Sequence, residues 1–219
     1  MKVNEIFYSI QGEGIHQGEP TVFIRLQGCN LRCTWCDTDY AQDLLGGEEK
    51  TLEQIVTEVR GYSQVPRSWV CITGGEPLYH LVHLEQLTRT LAGLGYRVEV
   101  ETNGSVPRPP WWARVNSWCA DIKCPSSDFP NSSLEEWFDG WDSDQVKFVV
   151  AGEEDLRFAS EKILHHQGKE PQVLVSPVIL QDEFVDARWM DRVVEFCKEH
   201  HVRFSLQLHK IIWGWRRGV

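Results

Sequence analysis

Three cysteines stand within eight residues, Cys29, Cys33 and Cys36, in the stretch CNLRCTWCDT. Thiolates at such spacing converge on one metal centre, and here the run stops at three. A structural zinc site is closed by four ligands, typically as paired CxxC knuckles. No second knuckle follows, and His16, His80 or Cys71 would have to complete the set from a distance. The CTWC segment alone suits a redox dithiol, because such pairs lower a thiol pKa, but that reading leaves Cys29 without a part. A four-iron cluster normally takes four thiolates. Held by three, it keeps one iron open, and an open position marks a catalytic metal centre rather than a scaffold.

The other four cysteines read as small buried hydrophobes. Cys71 lies in WVCIT, Cys119 in a strand-like segment with Cys124 just after it, and Cys197 on an apolar helical face with Trp189, Met190 and Val193. An odd total of seven is poorly explained by disulfides. Arg25 is a second chemical signal, a cation at the end of a strand among Phe23, Ile24 and Leu26. Strand alternation sends it to the face opposite Ile24 and Leu26, where an unpaired guanidinium is costly and a substrate carboxylate offers bidentate pairing. The structural alternative is an ion pair to Glu76 or Glu101.

Alternating strand and helix signals must position these residues. Strand-like runs are TVFIRLQG (21–28), WVCIT (69–73), RVEVE (97–101), WCADI (118–122), QVKFVV (145–150), QVLVS (172–176) and RFSLQL (203–208). Leu52, Ile55, Val56 and Val59 follow helical spacing behind a Thr51/Gln54 capping box, and Leu84, Leu87, Leu91 and Leu94 form a second stripe. Residues 153–167 and 186–200 supply two more amphipathic helices, whereas 103–116 and 124–133 are broken by proline and serine. Repeated alternation implies a parallel sheet. With fewer than eight strands, the expected fold is α/β, an incomplete (partial) β/α barrel of six to seven mostly parallel strands, the alternative being an open doubly wound sheet. Both gather ligands at the carboxyl ends of the strands. There the sequence places the cysteine loop, TGGEP (73–77), ETNG (101–104), DIKCPSS (121–127), Ser176 and QLHK (207–210).

The 219 residues are read as one domain, with a strand/helix core over 21–208, an N-terminal substrate-binding segment over 1–20 and a tail over 209–219. Net charge is −10, which argues against a nucleic-acid partner. The sequence contains no apolar run of membrane-spanning length and no signal core, so a cytoplasmic protein is expected.

CxxxCxxC after a first strand, followed by GGEP after the second, resembles the radical S-adenosylmethionine enzymes. The resemblance implies that the open iron chelates S-adenosylmethionine, with the Gly-Gly backbone approaching its amino group. Across residues 3–219 the chain is similar, within that superfamily, to the 7-carboxy-7-deazaguanine synthases. The shared stretches are EIFYSIQGEG, FIRLQGCNLRCTWCDT, ITGGEP, VETNG, DIKCPSS and QLHK. SIQGEG discriminates best, because it precedes the cluster loop. The similarity implies a carbon–nitrogen lyase of queuosine and deazapurine biosynthesis, a tRNA-modification pathway. Its substrate would be 6-carboxy-5,6,7,8-tetrahydropterin, contracted with loss of ammonia and magnesium assistance. It also implies Cys29, Cys33 and Cys36 on a [4Fe-4S] cluster and Thr38 on magnesium. Trp35, Asp37, Gly75, Asp121, Ile122, Lys123 and Ser176 would line the S-adenosylmethionine site. Ile10, Gln11, Gly12, Glu13, Arg25, Thr73, His209 and Val219 would line the pterin site. No catalytic side chain is assigned beyond the cluster and cofactor site. Flavodoxin or ferredoxin is the expected electron donor and a homodimer the expected assembly, with Trp111 and Trp112 as an exposed anchor for a second subunit. Two other readings are a glycyl-radical activating enzyme, disfavoured by SIQGEG and Arg25, and a zinc-binding interaction module, disfavoured by the strand-end clustering.

Overall fold

The computed structural model describes residues 1–65, 67–181 and 186–219. Its strands are β1 (Lys2–Ile10), β2 (Pro20–Leu26), β3 (Glu48–Glu49), β4 (Trp69–Gly74), β5 (Arg97–Thr102), β6 (Ser117–Ile122), β7 (Gln145–Val150), β8 (Gln172–Pro177) and β9 (Arg203–Phe204). The helices are α1 (Leu52–Tyr62), α2 (Leu81–Gly93), α3 (Glu153–His165), α4 (Ala187–His200) and α5 (Leu208–Trp213). All strands join one sheet in the order β3-β1-β2-β4-β5-β6-β7-β8-β9. From β2 to β9 every neighbouring pair is parallel, and β1 runs antiparallel to both β2 and β3. β3 and β9 are the two ends and do not pair, so the expected partial barrel is found, not closed into a ring.

The two faces of the sheet differ in chemistry. Val22, Ile24, Leu26, Val70, Ile72, Val98, Val100, Trp118, Ala120, Ile122, Val146 and Phe148 are buried in one hydrophobic core. Helices cover that face, with α1 against β1, α2 against β5, α3 against β7 and α4 against β8 and β9. The alternate residues share the opposite face: Arg25 pairs in register with Thr73, Cys71 with Glu99, Glu101 with Cys119, and Asp121 with Lys147. Since side chains alternate along a strand, the residues between those given to the helices point to the opposite face. Thr51 and Gln54 form the expected capping box of α1. Leu84, Leu87 and Leu91 are buried, while Leu94, at the C-cap of α2, is 39% exposed.

The structure adds one strand and revises two readings. Residues 2–10 of the N-terminal segment form strand β1, paired with β2 over Val3–Ile10; the polar Asn4, Glu5 and Ser9 hide its alternation in the sequence. The last run, 203–208, is a strand only at Arg203–Phe204. Beyond it Ser205 N still donates to Val175 O of β8 (3.0 Å), but the Ser205 Oγ accepts from Gly14 N (3.2 Å) and Gln207 Nε2 donates to Glu13 (2.9 Å), so these inward side chains serve the N-terminal loop. Leu208 then opens α5, which puts His209 in its first turn. Trp111 is no exposed anchor: it is 6% exposed against Trp118, and Trp112 packs on Trp141 and under Arg108.

Candidate active site

The polar face opens into a cavity of about 460 Å³ at the carboxyl ends of the parallel strands. Cys29, Cys33 and Cys36 all line it, and each is half-buried, whereas Cys71, Cys119, Cys124 and Cys197 are buried away from solvent. Burial pushes the Cys33 and Cys36 thiols up, with the neighbouring thiols adding to the effect at Cys33 and Asp37 at Cys36. A metal centre that takes them as thiolates must therefore displace protons.

Three loops hold the cysteine loop in place. Glu76 of GGEP is fully buried and accepts from Leu78 N (3.0 Å), Thr102 Oγ1 (2.8 Å) and Asn103 N (2.7 Å), which ties the loop after β4 to ETNG after β5. Asn103 Nδ2 in turn donates to Asn30 Oδ1 (2.9 Å) and approaches Cys29 Sγ (3.7 Å). From the loop after β6, Ser126 Oγ accepts from Trp35 Nε1 (2.9 Å), and Lys123 Nζ lies over the Trp35 ring (5.3 Å). The two glycines of GGEP are required by the chain itself. A Cβ on Gly74, at φ +143°, would meet Leu26 O at 2.3 Å, and one on Gly75 would meet Gly28 O at 2.2 Å.

Charges alternate around the rest of the cavity. Lys147 Nζ binds Glu13 and lies 3.3 Å from Asp121, which accepts from Lys123 (2.7 Å). Asp37 meets Lys210 at 2.9 Å and accepts from Thr38 Oγ1 at 3.1 Å. Burial works against both acids, yet Lys147 holds Glu13 at about 2, and Lys210 holds Asp37 well below the carboxylate range. Glu13, Asp37 and His209 present ligand atoms within 4.8 Å of one another, but each carboxylate is already neutralised by a lysine. A Cβ on Gly12 would lie 2.2 Å from His209 Nδ1, so that glycine makes room for the imidazole.

The expected site residues largely meet here. Ile10, Gln11, Gly12, Glu13, Arg25, Trp35, Asp37, Thr38, Thr73, Gly75, Asp121, Lys123, His209 and Val219 line the same cavity as the three cysteines. Ile122 packs in the core, and Ser176 is fully buried with an unpartnered Oγ; neither lines the cavity. The ion-pair partner of Arg25 is neither Glu76 nor Glu101 but Glu5, at 2.8 Å.

A model of the radical SAM superfamily matches residues 23–117. A protein of Methanospirillum hungatei described as 7-carboxy-7-deazaguanine synthase is 40% identical over 97% of this chain and 85% of its own length. The chain belongs to the 7-carboxy-7-deazaguanine synthase family. A member from Koribacter versatilis is 35% identical over 97% of both chains. Among solved structures, QueE from Escherichia coli superposes with a TM-score of 0.74 at 25% identity, covering 95% of this chain and 94% of that one. A radical SAM methyltransferase from Sphaerobacter thermophilus shares the fold at a TM-score of 0.58 and 15% identity, covering 86% of this chain and 66% of that one.

In this member of the 7-carboxy-7-deazaguanine synthase family, the wall also holds Lys147 and Tyr40, with Glu5 behind it, none of which the sequence points to directly. Lys147 had a signal, because a lone lysine inside QVKFVV has the same pattern as Arg25 in TVFIRL. The QLHK stretch brings Gln207 and Lys210 to the wall together with His209. Glu5 and Tyr40 had none, since their role is to meet Arg25 from another strand and another loop (Tyr40 Oη to Glu5 Oε1, 3.1 Å). No helix among the described residues is long and apolar enough to cross a membrane.

Proposed function

We propose that this chain is a radical S-adenosylmethionine enzyme that converts 6-carboxy-5,6,7,8-tetrahydropterin to 7-carboxy-7-deazaguanine with loss of ammonia, in queuosine and deazapurine biosynthesis. The observation that carries the reading is the meeting of three half-buried thiols and the Arg25 guanidinium in one cavity lined also by SIQGEG residues. The donor set fits a cluster with one open iron, because three thiols from one loop face the cavity and the remaining four cysteines are buried elsewhere. When bound and reduced, the cluster and S-adenosylmethionine supply a 5′-deoxyadenosyl radical.

The chain itself binds, orients and encloses. Cys29, Cys33 and Cys36 hold the cluster. Trp35, Asp37, Gly75, Asp121 and Lys123 form the wall next to it and take S-adenosylmethionine, with the backbone near Ile122 and Ser176 behind. Gln11, Gly12, Glu13, Thr73 and His209 offer donors and acceptors to the pterin ring, and Arg25 takes its carboxylate. Magnesium is assigned to the Thr38 hydroxyl, which stands between Asp37 and Arg25 (3.1 and 3.4 Å) and suits an ion content with few protein oxygens. The tail, through Val219, closes the cavity and keeps water from the radical. Residues 1–219 act as one domain, reduced by flavodoxin or ferredoxin, as a homodimer.

The test is anaerobic reconstitution followed by assay with a reductant, S-adenosylmethionine and the carboxytetrahydropterin. A brown protein with about four irons per chain that forms the deazaguanine product supports the reading. A colourless protein holding one zinc, or a loaded enzyme that leaves the pterin unchanged, defeats it.

A further inference from the structure

Beneath the cavity floor lies a carboxyl group that the proposed chemistry does not use. Glu99 is 2% exposed and does not line the cavity. Each of its oxygens accepts from a glutamine amide: Oε2 from Gln11 Nε2 (2.7 Å) and Oε1 from Gln145 Nε2 (2.8 Å). Each amide then turns its own oxygen to the N-terminal loop. Gln11 Oε1 accepts from Glu13 N (3.3 Å), and Gln145 Oε1 accepts from Ile15 N (3.0 Å). Two chains of the same kind, from carboxyl through amide to backbone N–H, thus run from one residue to both sides of Gly14.

The carboxyl at the root decides which way round the amides stand. The two ends of an amide are similar in shape and opposite in hydrogen-bonding sense. A group that accepts at both oxygens draws both NH2 ends to itself and leaves both carbonyls for the loop. The loop is shaped to receive them: Gly14 has φ +74°, and a Cβ there would lie 2.5 Å from Gln145 Oε1. Gln11 Nε2 also reaches Glu101 Oε1 (3.1 Å) and Cys71 Sγ (3.7 Å), so its NH2 end is held from three sides. Burial, with Glu101 beside it, pushes the Glu99 carboxyl up. Protonated or not, each oxygen keeps a lone pair for its amide.

We propose that Glu99 is a positioning residue for pterin binding, which acts through Gln11 and Gln145 to set the backbone of residues 11–15. This rests on the assignment of Gln11, Gly12 and Glu13 to the pterin. It gives a fully buried acid, two residues before ETNG, a share in substrate recognition without contact to substrate.

Glu99→Gln removes one of the two acceptors and forces one glutamine amide to turn over, setting N–H against N–H at Glu13 or Ile15. In reconstituted protein, the KM for the pterin should rise at least about tenfold, a difference of about 1.4 kcal/mol. Iron content and pterin-independent cleavage of S-adenosylmethionine should stay at wild-type levels. Gln145→Met, which leaves Glu99 in place, should show the same split and carries the test if Glu99→Gln yields no soluble protein. The exchanged pair, Glu99→Gln with Gln145→Glu, restores every bond: the new amide at position 99 accepts from Gln11 and donates to the new carboxylate at position 145, which accepts from Ile15 N. Its KM should return to within about threefold of wild type. Amide hydrogen exchange, read without pterin, should accelerate at Glu13 or Ile15 in Glu99→Gln and at Ile15 in Gln145→Met, and recover in the exchanged pair. KM and exchange within twofold of wild type in the single variants overturn the proposal, as does an exchanged pair no better than Glu99→Gln. Wild-type protein that fails to turn over the pterin would remove the substrate assignment, while the exchange rates still decide whether Glu99 sets the loop.

Discussion

Arg25 donates through Nε to Glu5 Oε1 at 2.8 Å, across the antiparallel pairing of β2 with β1. The bond fixes one edge of a guanidinium whose other contacts are a long 3.4 Å approach of Nη1 to Thr38 Oγ1 and the rings of Phe7 and Tyr40. Such a group is held in place and still has donors for an anion in the cavity. Arg25→Lys keeps a charge but not the planar fork. It should leave iron content and S-adenosylmethionine cleavage intact and raise the pterin KM about tenfold, or about 1.4 kcal/mol. A pterin lacking the carboxylate provides the control, since the mutation should hardly change its binding. Equal weakening of both pterins would mean that Arg25 only braces Glu5.

The cysteines divide by burial, and the division can be measured. Cys29→Ala, Cys33→Ala or Cys36→Ala should each abolish cluster assembly and turnover while the chain stays folded, because a cluster left with two thiolates is poorly held. Cys197→Ala touches only core packing and should cost about 1 kcal/mol of stability, while Cys71→Ala also removes a contact of the Gln11 amide (3.7 Å) and should still leave iron content unchanged. Iron per chain after reconstitution separates the groups, and the same iron loss in both would show that the ligands are misassigned.

How much of this was legible in the sequence follows from which forces set each element. Strands β4 to β8 were readable because their apolar alternates must meet the helices, as Val70 and Ile72 do. β1 was not, because its inward residues serve the cavity: Glu5 is there for Arg25, a partner fixed only by strand pairing. The stretch 203–208 misled for a related reason. Ser205 and Gln207 alternate as strand residues do, yet their side chains bond to Gly14 and Glu13, more than 190 positions earlier in the chain. GGEP was located correctly and explained incompletely, since its glycines are required by the backbone of Leu26 and Gly28 as well as by any ligand. Residue types that announce chemistry were found, and residues that orient them were not.

Two buried acids should tilt stability in opposite directions with pH. Lys147 holds Glu13 at about 2 against an ordinary value of 4.5, so its folded pKa is depressed. Its contribution is present above about 4.5 and is lost as pH falls towards 2. Burial, with Glu101 beside it, raises the Glu99 carboxyl above its ordinary value of 4.5, so its contribution is present below about 4.5 and is lost as pH rises through the raised value. Each limb should approach a slope of about 1.4 kcal/mol per pH unit. Urea unfolding of the metal-free protein between pH 3 and 9 reads both limbs. Glu13→Gln should flatten the acid limb and Glu99→Gln the alkaline one; wild-type slopes in either variant would assign that limb to other groups.

The tail is the part of the wall with the least sequence support, and its attachments are specific. Gly214 leaves α5 at φ +62°, a conformation that favours glycine, and turns the chain back over the cavity. Lys210 lies 4.6 Å from the Trp215 ring, while the Arg217 guanidinium stacks 3.5 Å over Tyr40 and donates to Asn4 Oδ1 at 3.1 Å. Tyr40 in turn donates to Glu5, the partner of Arg25, so residues 214–219 are joined to Arg25 through the side chains of Arg217, Tyr40 and Glu5. Gly214 to Val219 all line the cavity. These contacts tie the segment down over the cavity. Deleting residues 216–219, or fusing a tag after Val219, should therefore lower coupled turnover several-fold and leave iron content unchanged. S-adenosylmethionine should be consumed in excess of product, because an open cavity admits water to the radical. Arg217→Ala alone should give a smaller loss in the same direction. Full and tightly coupled activity in the truncated enzyme would reduce the tail to a passive terminus.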